Sequence, residues 1–147
     1  MNALPPVVLE QRVTCSVAAA VKFNVPANLL LAVAEIENGR PGLESTNANG
    51  TRDIGLMQFN TRYLDSLARF GIRAADVAGS DCYPFDLAAW RLSGHLARDQ
   101  GDLWTRAANY HSRTPRHNAI YRRKLRQVAS RWETWLRQQF QVEEFAP

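Results

Sequence analysis

Apolar residues recur along this chain at helical rather than strand spacing. From Arg12 to Phe23, Val13, Val17, Ala20 and Val21 fall three and four positions apart, which predicts an amphipathic helix. Asn24-Val25-Pro26 interrupts it, and Pro26 suits the first turn of a second helix. That helix carries Leu29, Leu30, Val33 and Ile36 and stops at Asn38-Gly39, ahead of Pro41. Gly39 to Asp53 is rich in Gly, Pro, Asn, Ser and Thr and reads as a loop or short hairpin turning at Asn49-Gly50. Further helices are predicted at Thr61–Phe70, closed by Gly71, at about Phe85–Asp99, at Leu103–His111 and at Arg116–Phe140. Strand-like alternation is nearly absent. The expected class is a mainly α single domain over residues 10–140, between short tails at 1–9 and 141–147.

The 147 residues, 46% of them hydrophobic, suit one compact domain with its own core. A formal net charge of +4 favours anionic partners without choosing among nucleic acid, acidic lipid and wall polymer. Much of it lies on the final helix, where Arg116, Arg122, Arg123, Lys124, Arg126, Arg131 and Arg137 face Glu133 alone. This reads as a solvated face. Trp132 and Trp135, three apart, are expected to pack inward rather than stack on bases, and no nucleic-acid motif is present, so nucleic-acid binding is not expected. No apolar run approaches the roughly 20 residues that span a bilayer. Met1-Asn2-Ala3-Leu4-Pro5-Pro6 has neither the basic nor the apolar region of a secretory leader. By spacing alone, Cys15 and Cys82 are either two buried thiols or one disulfide.

Glu37 is the residue with chemistry to explain. At 100° per residue it falls within the apolar stripe of the second helix, whereas Glu35 lies nearly opposite. Burial and the negative end of the helix both raise a carboxyl pKa there, which suits a general acid. The plain alternative is a glutamate that reaches solvent or pairs with Arg40. In Asp53-Ile54-Gly55-Leu56-Met57-Gln58-Phe59-Asn60, Gly55 implies a bend or a close backbone approach, and Asn60 suits the N-cap of the third helix. The amides of Gln58 and Asn60 could grip sugar hydroxyl and acetamido groups. His95, His111 and His117 have no metal-ligand spacing, and His95 is expected at or near the surface. There is no phosphate-binding glycine loop and no serine elbow.

Taken in order, Glu37-Asn38-Gly39, the stretch Gly50 to Asn60, Ala108-Asn109-Tyr110-His111-Ser112 and Tyr121 resemble the soluble lytic transglycosylase family. The likeness is strongest to its small periplasmic branch, which is associated with type III and type IV secretion, conjugation and pilus systems, and it spans roughly Cys15 to Lys124. It implies a lysozyme-like (goose-type) fold that cleaves peptidoglycan between N-acetylmuramic acid and N-acetylglucosamine. The product would be a 1,6-anhydro sugar, the enzyme a monomer without metal or cofactor, and Glu37 the catalytic acid.

Gly55-Leu56-Met57-Gln58 matches the family letter for letter, which implies a sugar-binding Gln58 and an apolar wall at Met57. Asn38 replaces the family's serine beside the acid as a substrate contact. Asn109-Tyr110-His111 stands where Ala-Tyr-Asn is common, with Tyr110 flooring the cleft, and Tyr121 is implied to bond near the glutamate. The resemblance also implies a Cys15–Cys82 disulfide and a periplasmic location, with the leader absent from this sequence. Two rivals stand beside this reading. One is a hydrolytic lysozyme with Asp53 as second carboxylate, Glu44 being a weaker candidate. The other is a non-catalytic scaffold that docks on the wall through the basic final helix.

Overall fold

The computed structural model describes residues 6–139. They form α1 (Pro6–Phe23), α2 (Ala27–Glu37), β1 (Glu44–Thr46), β2 (Arg52–Ile54), β3 (Phe59–Asn60), α3 (Thr61–Leu67), α4 (Ala74–Ala78), α5 (Tyr83–Arg98), α6 (Leu103–Ala108) and α7 (Pro115–Gln139). The mainly α class is as expected. The three strands make one antiparallel sheet in the order β1-β2-β3.

The second helix is buried on all sides rather than along one stripe. Every residue from Leu29 to Ala34 is at most 1% exposed, because α1 and α7 pack against it. Each buried Leu or Val there contributes about 1.5–3 kcal/mol of transfer free energy. The helix ends at Asn38, whose backbone is left-handed (φ 48°) and whose N–H donates to Ala34 O. Asparagine tolerates that conformation better than most residues.

Gly39 then donates its N–H to Leu56 O at 3.1 Å. A Cβ on Gly39 would overlap the carbonyl oxygen of Gly55. Only glycine therefore lets the end of α2 lie directly against the β2–β3 turn. Gly55 itself has φ 75°, and a Cβ there would overlap Val77 O of α4. The close approach expected at Gly55 is thus made on two sides.

The stretch read as a loop or short hairpin is a hairpin. Ser45 pairs with Asp53, Thr46 with Arg52, and the Asn47–Thr51 turn closes it. Helix α4 lies in what reads as loop. Its five residues are too few to show a period, and Val77 is its single buried anchor. Helix α1 starts at Pro6, so Pro6 to Leu9, expected as tail, are helical. The third predicted helix ends as a 3-10 turn, Ala68–Phe70, before Gly71. Helix α6 stops at Ala108 because the N–H groups of Tyr110 and His111 bond three residues back, tightening the chain out of the α-helix. Phe140 and the expected 141–147 tail lie outside the described residues, as do residues 1–5.

Cys15 and Cys82 form a disulfide with Cα atoms 5.2 Å apart, tying α1 to the start of α5. That settles the pairing that spacing left open.

Candidate active site

Glu37, the last residue of α2, is half-buried and opens into a cleft of about 280 Å³. Asn47, Asp53, Gln58 and Asn60 line it from the sheet, and Arg91, Tyr110 and His111 from the helices. Burial pushes the Glu37 carboxyl up to about 7. Asp53 adds to the rise, while the Tyr121 hydroxyl, Arg91 and Lys124 oppose it. Tyr121 Oη donates to Glu37 Oε1 at 3.3 Å. Glu37 makes no ion pair with Arg40, and Glu35 bonds Arg131 at 2.8 Å near the surface. A carboxyl with that pKa is about half protonated at neutral pH, so it can donate a proton and, once ionised, accept one.

Tyr110 is 4% exposed, and its hydroxyl is buried without a partner among the described residues. Its ring lies 4.4 Å from the Arg91 guanidinium, which sits 4.0 Å from Tyr63 as well. Such cation–π contacts hold the arginine in place without neutralising it. The His111 ring stacks on Tyr121, with centroids 4.6 Å apart and planes 4° from parallel. Burial, more than any neighbouring charge, lowers the His111 pKa.

Several expected contacts fall elsewhere. Met57 does not line the cleft, because the core packed around the β2–β3 turn takes up its side chain. Asn38 is exposed at the helix end, spent as its left-handed cap. Asn109 faces a different cavity, where it donates to Asp99 at 2.9 Å and accepts from Asn118 at 2.8 Å. Asn60 lines the cleft and caps α3 as expected, accepting from Arg62 N–H at 3.0 Å. Its amide donates to Thr51 at 2.9 Å and Asp53 at 3.0 Å.

Gln58 donates to Gly55 O at 2.9 Å, and its Oε1 bears no hydrogen bond among the described residues. Arg52 pairs with Glu44 at 2.8 Å rather than with Asp53, and Glu44 does not line the cleft. His95 is near the surface, partly buried in the wall of a neighbouring cavity. Its side chain is 13% exposed, with Nδ1 2.6 Å from Asp99.

Two lining residues escaped sequence reasoning. Arg91 carried a usable signal, a cation four positions after Leu87 and three after Ala88, on the apolar face of its helix. Asn47 carried none beyond its turn chemistry; its amide bonds Thr51 at 3.1 Å.

Fold and site together define a lysozyme-like, mainly α domain with a half-buried acid at the end of its central helix. The Transglycosylase SLT domain family matches residues 14–130, and the chain belongs to that family. It is 28% identical over 123 residues to invasion protein IagB of Salmonella typhimurium, covering 82% of this chain and 74% of that one. It is 30% identical over 128 residues to protein IpgF of Shigella flexneri, covering 80% of this chain and 84% of that one.

Proposed function

We propose that the protein is a peptidoglycan lytic transglycosylase with Glu37 as both acid and base. The observation that carries this is the Glu37 carboxyl, pushed up to about 7 and facing a cleft lined by amides. Protonated Glu37 donates to the glycosidic oxygen between N-acetylmuramic acid and N-acetylglucosamine. Positive charge builds at the anomeric carbon, with the sugar's own acetamido oxygen assisting. The ionised Glu37 then takes the proton of the same sugar's C6 hydroxyl, whose oxygen closes on the anomeric carbon. The product is a 1,6-anhydro sugar, and no water is consumed.

Gln58 offers its unbonded amide oxygen to the sugar, Asn60 shapes the wall beside it with its amide held by Thr51 and Asp53, Tyr110 floors the cleft, and Tyr121 orients the acid. Neither a metal nor a cofactor takes part. The disulfide supports a periplasmic location, since such bonds persist where the compartment is oxidising. The branch of the family that the motifs resemble supports a role in opening the wall locally for a secretion, conjugation or pilus apparatus. So does one relative's description as an invasion protein.

Asp53 shares the cleft with Glu37 and so keeps one rival specific, a hydrolytic lysozyme that uses it as second carboxylate. Mass spectrometry of digested cell walls separates the two. Anhydro products support the proposal, whereas products heavier by one water overturn it in favour of hydrolysis. If Glu37→Gln digests walls as fast as the parent chain, Glu37 is not the acid.

A further inference from the structure

A second cavity, of about 790 Å³, adjoins the catalytic cleft and shares Arg91 and His111 with it. It runs between α3, α5 and the segment after α6, and its charge is its distinguishing property. Arg62, Arg91, Arg98 and Arg113 all line it, against Asp99 as the one acid among the described residues. Asp99 is already committed, 2.6 Å from His95, 3.1 Å from Arg113 and 2.9 Å from Asn109. Arg62, Arg91 and Arg98 form no ion pair among the described residues.

Arg91 is pinned between two rings, and its Nε is buried without a hydrogen-bond partner among the described residues. Arg98 lies across Gly94, where any Cβ would collide with its guanidinium. Tyr63 and the 43% exposed Trp90 add aromatic surface to the same walls.

Three uncompensated guanidiniums gathered in one cavity repel one another, and neutral sugar hydroxyls do not require them. Carboxylates do, because guanidinium binds them through paired, charge-assisted hydrogen bonds. We infer that this cavity is a carboxylate-binding arm of the cleft, which holds acidic groups carried by the glycan strand. The inference rests on the proposed reading of the strand as substrate. On such a strand the carboxylates have two sources, the peptide branches, or the lactyl groups of the muramic sugars once the branches are removed.

The test uses the Glu37→Gln chain, so that binding is scored without cleavage. Isothermal titration compares three soluble strands of equal sugar number. These are an uncharged N-acetylglucosamine oligomer, an alternating strand stripped of peptides, and the same strand with its peptides. We expect a carboxylate-bearing strand to bind about tenfold more tightly than the uncharged oligomer. That preference should vanish when Arg62→Gln and Arg98→Gln are added, with folding checked by thermal melting. Both side chains are exposed, so the fold does not depend on them.

Tighter binding of the peptide-bearing strand assigns the arm to the branches, and tighter binding of the stripped strand assigns it to the sugars; either supports the inference. Equal affinity for all three strands, no detectable binding, or a preference that survives the arginine changes overturns it. A chain that binds selectively but does not cleave walls before Glu37 is changed would sink the proposed reaction alone.

Discussion

The phenol oxygen of Tyr121 and Oε1 of Glu37 lie 3.3 Å apart, although 84 positions separate the two residues. That bond favours the ionised carboxyl and is the largest influence opposing burial. Tyr121→Phe should therefore raise the Glu37 pKa above about 7. The alkaline limb of the kcat/KM profile should move to higher pH, with kcat itself reduced as the acid loses its orienting partner. A pH–rate series on a soluble glycan strand measures both.

Asp53 acts in the opposite sense, raising the Glu37 pKa through its negative charge. Asp53→Asn should move the same limb to lower pH, and its products should still be anhydro sugars. Loss of the anhydro products, or complete loss of cleavage, would show that Asp53 is a catalytic partner.

Glu37 should also destabilise the fold in a pH-dependent way. Its ordinary value is 4.5 and its folded value about 7. Between those values the folded chain holds more protons than the unfolded one, so stability falls as pH rises and the penalty is complete above about 7. The integral is at most about 3 kcal/mol. Glu37→Gln should melt at a higher temperature than the parent chain, with a larger gap at pH 8 than at pH 5. Wall digestion by that variant should fall at least about a hundredfold.

Gly39→Ala should cost about 2–3 kcal/mol, because a methyl there meets backbone that cannot move aside. Gly42→Ala should cost about 1 kcal/mol, since Gly42 has a left-handed backbone (φ 76°) but nothing nearby to strike. Urea unfolding of the two variants checks the order, and Gly39→Ala should lose the more activity.

Reduction of the Cys15–Cys82 bond should lower stability by about 4 kcal/mol in the chain-entropy picture. Melting with and without a thiol reductant measures it.

How much of this was legible in the sequence depended on range. Helices α1, α2, α5 and α7 could be read because their apolar positions repeat over several turns, whereas α4 is shorter than any period that would betray it. The angular position of Glu37 followed from its spacing to Val33 and Leu30, and the Asn60 cap from local turn chemistry. The direction of Met57, the neighbours of Asn109 and the presence of Arg91 in the cleft did not follow. Each is set by what a remote segment leaves room for. Gly39 and Gly55 illustrate the limit. Both letters announce a tight place, yet nothing local says that they are tight against each other.

The Glu37 carboxyl draws its surroundings from four distant stretches: the end of α2, the sheet, the middle of α5 and the region from Tyr110 to Tyr121. Pulled apart, the same glutamate is an ordinary side chain that has already shed its proton in neutral solution. The hydrogen on that carboxyl thus belongs to no local sequence. It exists only once the whole polypeptide has closed around it, and a half-folded molecule holds no proton there to give.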